Sequence, residues 1–222
     1  IGDSCSNDNG IPWKEEFLKS IKTLLGVFLA TFSLGLGAIT VPSITTQAKA
    51  QEATLIPGTY TVGEDVKAGR YTVSATSGSG NFFNHPKKSS GQDVNEILGT
   101  DDVSETPSVT ATFKKGDQVE ISGMTSAHFV PVTVRNKKNT TKLGTGYWTV
   151  GKDIKKGKYT VSAANGTSGN FFIHPKNPFG TEVNEILGTD TSSGEVPKIN
   201  VKLKKGDQIV IAGMSSANFT KR

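Results

Sequence analysis

The sequence predicts an all-β protein: a tandem pair of small antiparallel β-sandwich or partly closed barrel modules, set after an N-terminal signal helix. Three observations carry this. Apolar and polar residues alternate with a period of two in several short runs. Glycine is abundant, at 25 of 222 residues. A long stretch of the chain occurs twice. Short strands broken by turns suit this mix better than helices, because branched and aromatic side chains fit a pleated surface and glycine fits turns.

The alternation is plainest where Tyr71, Val73 and Ala75 interleave with Thr72 and Ser74, and where Tyr159, Val161 and Ala163 repeat the pattern. One face of such a run is apolar and one polar, as in a half-buried strand. Val109, Ala111 and Phe113 form another run, matched by Ile199, Val201 and Leu203. Each is followed by Lys-Lys-Gly-Asp and then by Val119 and Ile121, or Ile209 and Ile211. The spacing predicts a β-hairpin with glycine in the turn. A first hairpin is expected between Tyr60–Val62 and Tyr71–Val73. Val94, Ile97 and Leu98 fall at i, i+3 and i+4 between Gly91 and Gly99, which fits either one helical turn or a short strand.

The repeat is read directly from the chain. Gly63–Ala75 matches Gly151–Ala163, Asn81-Phe82-Phe83 matches Asn170-Phe171-Phe172, and Val94–Asp101 recurs unchanged as Val183–Asp190. The offset grows from 88 to 90 through two one-residue insertions in turn-like stretches. The modules are therefore 56–130 and 146–220, joined by a polar, basic linker over 131–145. At this size independent folding is marginal, and packing of the copies against each other would enlarge the core.

Residues 1–13 read as extra or truncated material with no assigned fold. Residues 14–50 read as a secretory signal peptide: Lys14, Lys19 and Lys22 precede the uncharged run Thr23–Val41, and Ala48-Lys49-Ala50 supplies small residues at the −3 and −1 positions. Cleavage is expected after Ala50. An uncleaved anchor is the alternative, and would be the sole membrane contact, since the run is close to the ~20 residues that span a bilayer. The single cysteine, Cys5, leaves the modules without disulfides or thiolate metal sites.

The string G-x-Y-x-V-G-x-D-[IV]-x-x-G-x-Y at Gly58–Tyr71 recurs in slightly degenerate form from Gly146. It resembles a repeat found in uncharacterised secreted and surface proteins of Gram-positive bacteria, notably lactic acid bacteria and bacilli. The later L-K-K-G-D-x-[IV]-x-[IV] is similar to a closing hairpin of jelly-roll modules. The first resemblance implies an extracellular or cell-surface location and a non-catalytic role, and it names no ligand.

The residues themselves point the same way. His85 and His174 occur once per module and His128 once in all, short of the ligand clusters a metal needs. Asn95, Glu96 and Asp101, with Asn184, Glu185 and Asp190, supply too few oxygens for calcium. No cofactor is expected. No serine-hydrolase or zinc-protease motif is present. A secreted hydrolase acting on wall polysaccharide, with Glu96 and Asp101 or Glu185 and Asp190 as its carboxylates, is kept as the enzymatic alternative. Candidate ligand contacts are Tyr147, Trp148 and the pairs Phe82-Phe83 and Phe171-Phe172, of which alternation sends one ring inward and one outward. Removing residues 1–50 leaves 21 Lys plus Arg against 16 Asp plus Glu. Arg135, Lys137, Lys138 and Lys142 in the linker are the expected contacts to a polyanion. The expected partner is thus an anionic cell-wall polymer or surface glycan, with no nucleic acid. A structural spacer or self-assembling surface protein is a further alternative.

Overall fold

The computed structural model describes residues 49–102, 105–135, 140–164 and 166–222. Everything below concerns the unit Thr46–Arg222. The expected signal helix, the cleavage-site residue Ala48, and Lys137 and Lys138 lie outside the described residues. Ala50 is half-buried against the first module's core, and the next residue, Gln51, donates its N–H to the Tyr71 hydroxyl at 3.2 Å.

The first module contains β1 (Ala53–Leu55), β2 (Gly58–Thr61), β3 (Gly69–Ala75), β4 (Gly80–His85), β5 (Val94–Leu98), β6 (Val109–Phe113), β7 (Gln118–Ser122) and β8 (Ala127–Pro131). They form two four-stranded antiparallel layers, β1-β8-β3-β6 and β2-β7-β4-β5. First pairs with last, second with seventh, third with sixth, fourth with fifth. This nested pairing is the topology of a jelly roll. The second module has β9 (Lys142–Thr149), β10 (Gly157–Ala163), β11 (Gly169–His174), β12 (Val183–Leu187), β13 (Ile199–Leu203) and β14 (Gln208–Lys221). Here β9 and β14 each run through both layers. The 142–144 end of β9 pairs with 216–218 and the 146–149 end with 208–211, with a register break between. The same nested scheme results.

Each sandwich has its own core, filled by the inward positions of the alternating runs. Tyr71, Val73, Phe82, Phe113, Val119 and Phe129 are buried in the first; Tyr159, Val161, Phe171, Ile209, Ile211 and Phe219 in the second. In the first core Phe113 and Phe129 meet edge to face at 5.8 Å, and each meets Phe82 the same way. Such pairs contribute about 0.5–1.5 kcal/mol beyond their buried area.

The all-β class and the sandwich architecture stand, and the barrel does not: neither module closes. Both expected hairpins are corrected. Strands β6 and β7 lie in opposite layers, as do β2 and β3. Local alternation fixes which face of a strand is buried, but it does not choose the neighbour. What redirects the chain is the aspartate of Lys-Lys-Gly-Asp. Asp117 is 2% exposed. Its carboxylate accepts from the Lys114 N–H at 2.8 Å and from the Lys87 N–H at 3.0 Å, across the sandwich end. Val62 and Asp117 complete the corner through the Val62 N–H at 2.9 Å, and the Gly116 N–H bonds the Val62 carbonyl at 2.7 Å. Asp207 repeats the arrangement with Lys204 and Lys176. The turn is an arch between layers.

Val94–Leu98 is a strand, with Val94, Glu96 and Leu98 facing inward and Asn95 and Ile97 outward. The two insertions fall in the β3–β4 and β5–β6 connections, the latter gaining a 3-10 turn at Thr191–Ser193. Strand pairing also sets Gly58 opposite Ile121 and Gly146 opposite Ile211, so the motif runs in strict register in both copies. The linker is shorter than 131–145: Pro131 belongs to β8 and Lys142–Thr145 to β9.

Removing either arch carboxylate leaves two backbone N–H groups without their acceptor. Asp117→Ala and Asp207→Ala should each cost about 3 kcal/mol, from roughly 1–3 kcal/mol per unpaired buried group. Urea unfolding measures this, and Asp→Asn, which keeps one acceptor oxygen, should cost less.

Candidate functional site

The most elaborate polar arrangement lies where the modules meet. Strand β9 of the second module approaches the β6 edge of the first, with Gly146 beside Thr110 in a parallel bridge. Gly146 has φ +126°, and a Cβ there would sit 2.1 Å from the Thr110 carbonyl oxygen. Only glycine permits this approach.

The next two residues fasten it. Tyr147 packs against the first module's core, and its hydroxyl donates to the Asp93 carbonyl. Burial, with the charges of Asp93 and Glu96 nearby, pushes its phenol up to about 12. The Tyr147 carbonyl accepts from Arg70 Nη2 at 2.6 Å. The Arg70 guanidinium also lies over the Trp148 ring, 5.2 Å from its centre, close enough for cation–π attraction. Trp148 is held for this by its Nε1–H, which donates to the Gly144 carbonyl at 2.8 Å. Burial brings Arg70 down to about 10, with Arg135 adding to the effect and Asp153 opposing it, so it stays charged at neutral pH.

Glu96 faces the other side of the junction and is 6% exposed. Its carboxylate accepts from the Gly213 N–H of the second module at 3.2 Å and from the Thr106 hydroxyl at 3.1 Å. Desolvation dominates these two bonds and raises its pKa to about 6. Between Arg70 and the second module is a cleft of about 650 Å3, whose lining includes Lys114, Tyr147, His174, Gln208 and Val210.

A second feature occupies the far edge of the second module. Lys156, Lys158, Lys202, Lys204 and Lys205 surround a groove of about 580 Å3 along β10 and β13. Lys158 lies directly opposite Lys202 in the strand pairing. Among the described residues, none of the five has a carboxylate within 4.0 Å. Like charges placed opposite each other without a counter-ion repel.

The candidate residues separate accordingly. Phe82 and Phe171 are fully buried, so they are the inward rings of their pairs and pack the cores, which corrects their nomination as ligand contacts. Phe83 and Phe172 point outward and stack on His85 and His174 at 5.8 and 6.1 Å. Tyr147 and Trp148 serve the junction, so they do not share an open face with Phe83. Arg135 is engaged by Asp153, which is 4% exposed and accepts from Arg135 Nε at 2.6 Å, so its charge is largely neutralised. Lys142 is exposed on β9. The lysine edge escaped the sequence reading, although the alternation of Lys202 and Lys204 with apolar residues was the signal for it. Of the nominated carboxylates, Glu96 is committed to the junction, and Asp190 is held down to about 2 by hydrogen bonds from Ser192 and Ser193. His128 and His174 contact Glu52 and Glu182, each at 2.7 Å.

No protein-family model matches the chain, and neither a curated protein nor a solved structure matches it.

The raised pKa of Glu96 has a consequence for stability. The folded state holds this proton more tightly than the unfolded chain, whose carboxyl titrates near 4.5. Stability is therefore fully present below 4.5 and declines as pH rises through 6, by about 2 kcal/mol in all. Glu96→Gln should flatten that limb of a stability–pH curve.

Proposed function

We propose that the protein is an extracellular, non-catalytic tandem β-repeat that acts as a rigid structural unit of the cell envelope. One observation carries this reading: the chemically versatile groups Arg70, Glu96 and Tyr147 are spent on fastening one module to the next. The export signal and the small-x-small site read from the sequence support the location. Association with an anionic wall polymer or surface glycan is a second reading, favoured by the uncompensated lysines of β10 and β13.

The rigid-unit reading makes the junction the vulnerable element. Wild-type residues 46–222 should melt in one transition, whereas Gly146→Ala and Arg70→Ala should split it into two, as read by calorimetry. Independent melting of the modules in the wild type would refute the reading. Turnover of wall polysaccharide by the wild type, abolished by Glu96→Gln with Glu185→Gln, would establish the hydrolase instead. For the polymer reading, sedimentation with purified cell walls should be strong at low salt and weak at high salt, because exposed charges are screened within about 10 Å at 0.1 M.

A further inference from the structure

The junction inside the chain joins two different surfaces: the β5/β6 side of one module and the β9/β14 side of the next. Such a contact is heterologous and does not close on itself. Each module carries both surfaces, so the chain has one unused example of each. Among the described residues, no strand covers the β1/β2 side of the first module or the β12/β13 side of the second. We infer that these two free sides bind each other between molecules, so that the partner of the lysine edge is a second copy of this chain and the molecules add head to tail.

The internal junction is the template, and strand register supplies the correspondences. Gly58 occupies the position of Gly146, and Tyr60 that of Trp148. Tyr60 is even held in the same way, its hydroxyl donating to the Ile56 carbonyl at 2.8 Å as the Trp148 Nε1–H does to Gly144. Gly123 stands for Gly213. On the opposite surface Lys158 stands for Arg70, each paired across to the neighbouring edge strand, and Glu185 stands for Glu96. A cation over an aromatic ring and a carboxylate on a glycine N–H are thus available again.

Thr59 stands where Tyr147 enters the neighbouring core, so the contact between molecules lacks that ring; the charged differences are complementary. Val210 and Thr112 line the same cleft at the internal junction. Their counterparts are Glu120 and Lys202. Docking head to tail sets Glu120 against Lys158, Lys202 and Lys204, and so gives the opposed lysines the counter-ion they lack. Glu64, next to the free β2, stands where the second module has Lys152. Glu64 and Glu120 thus lie at the free β2 side, and Lys158, Lys202 and Lys204 at the free β13 side. Exposure agrees with vacancy: Thr110 and Val210 are buried at the internal junction, whereas Asn200 and Glu120 are exposed.

The inference rests on the rigid-unit reading, and its test separates the two. The described cores and strand pairings all lie within 46–222, so this stretch is the material for sedimentation velocity over a concentration series. At low salt it should give a ladder of dimers, trimers and larger species that dissociates at high salt. Glu120→Lys and Lys202→Glu should each weaken association by about tenfold, and the two together should restore it. A chain that stays monomeric at low salt overturns the proposal while leaving the single melting transition, and the rigid unit, intact. A closed dimer, or no rescue by the double exchange, also overturns it. So does a result in which Lys202→Glu abolishes binding of polyphosphate and leaves self-association untouched, since the edge then belongs to a polyanion.

Discussion

Two buried aspartates hold the sandwiches together at their ends. Asp117 and Asp207 each tie the corner between layers to a second chain segment after β4 or β11. A sandwich of short strands has many places where the chain leaves one sheet and enters the other, and at each the backbone forfeits its ladder partners. Buried N–H groups must be satisfied somewhere. A carboxylate that accepts two of them stabilises the crossing.

With that frame fixed, the two modules are close copies with unequal surroundings. The same alternation fills both cores, and the same phenylalanine pair sends one ring in and one out. The edges set the copies apart. Glu96 is buried beneath the second module, whereas its counterpart Glu185 is half-exposed at an uncovered side. Arg70 lies over an indole, and its counterpart Lys158 faces another lysine. Identity of sequence therefore does not carry identity of electrostatics. Desolvation is a property of what covers a group, and only one of each pair is covered.

The junction also explains how modules of marginal size form a durable unit. Tyr147 extends the first core with a side chain from the second module, and the glycine before it lets the two backbones meet. Rigid coupling of this kind limits what the cleft beside it can do. Its cations are partly engaged by backbone carbonyls and by Asp153, whereas five lysines without a carboxylate neighbour among the described residues gather at the β10/β13 edge.

Much of this was legible in the residues themselves. Duplication, sheet content and the inward face of the plainest alternating runs, such as Tyr71–Ala75 and Val109–Phe113, follow from repetition and from a period of two, since each is local to the chain. The sequence likewise marked Lys-Lys-Gly-Asp as a turn and one ring of each phenylalanine pair as core. Tertiary structure alone decided that the turn is an arch, that Val94–Leu98 is a strand, and that Trp148 meets Arg70 instead of solvent. It also gathered lysines from β10, β13 and the loops beside them into one groove. These outcomes depend on groups tens of residues apart, and local patterning, which specifies a face, is silent about which distant partner that face will meet.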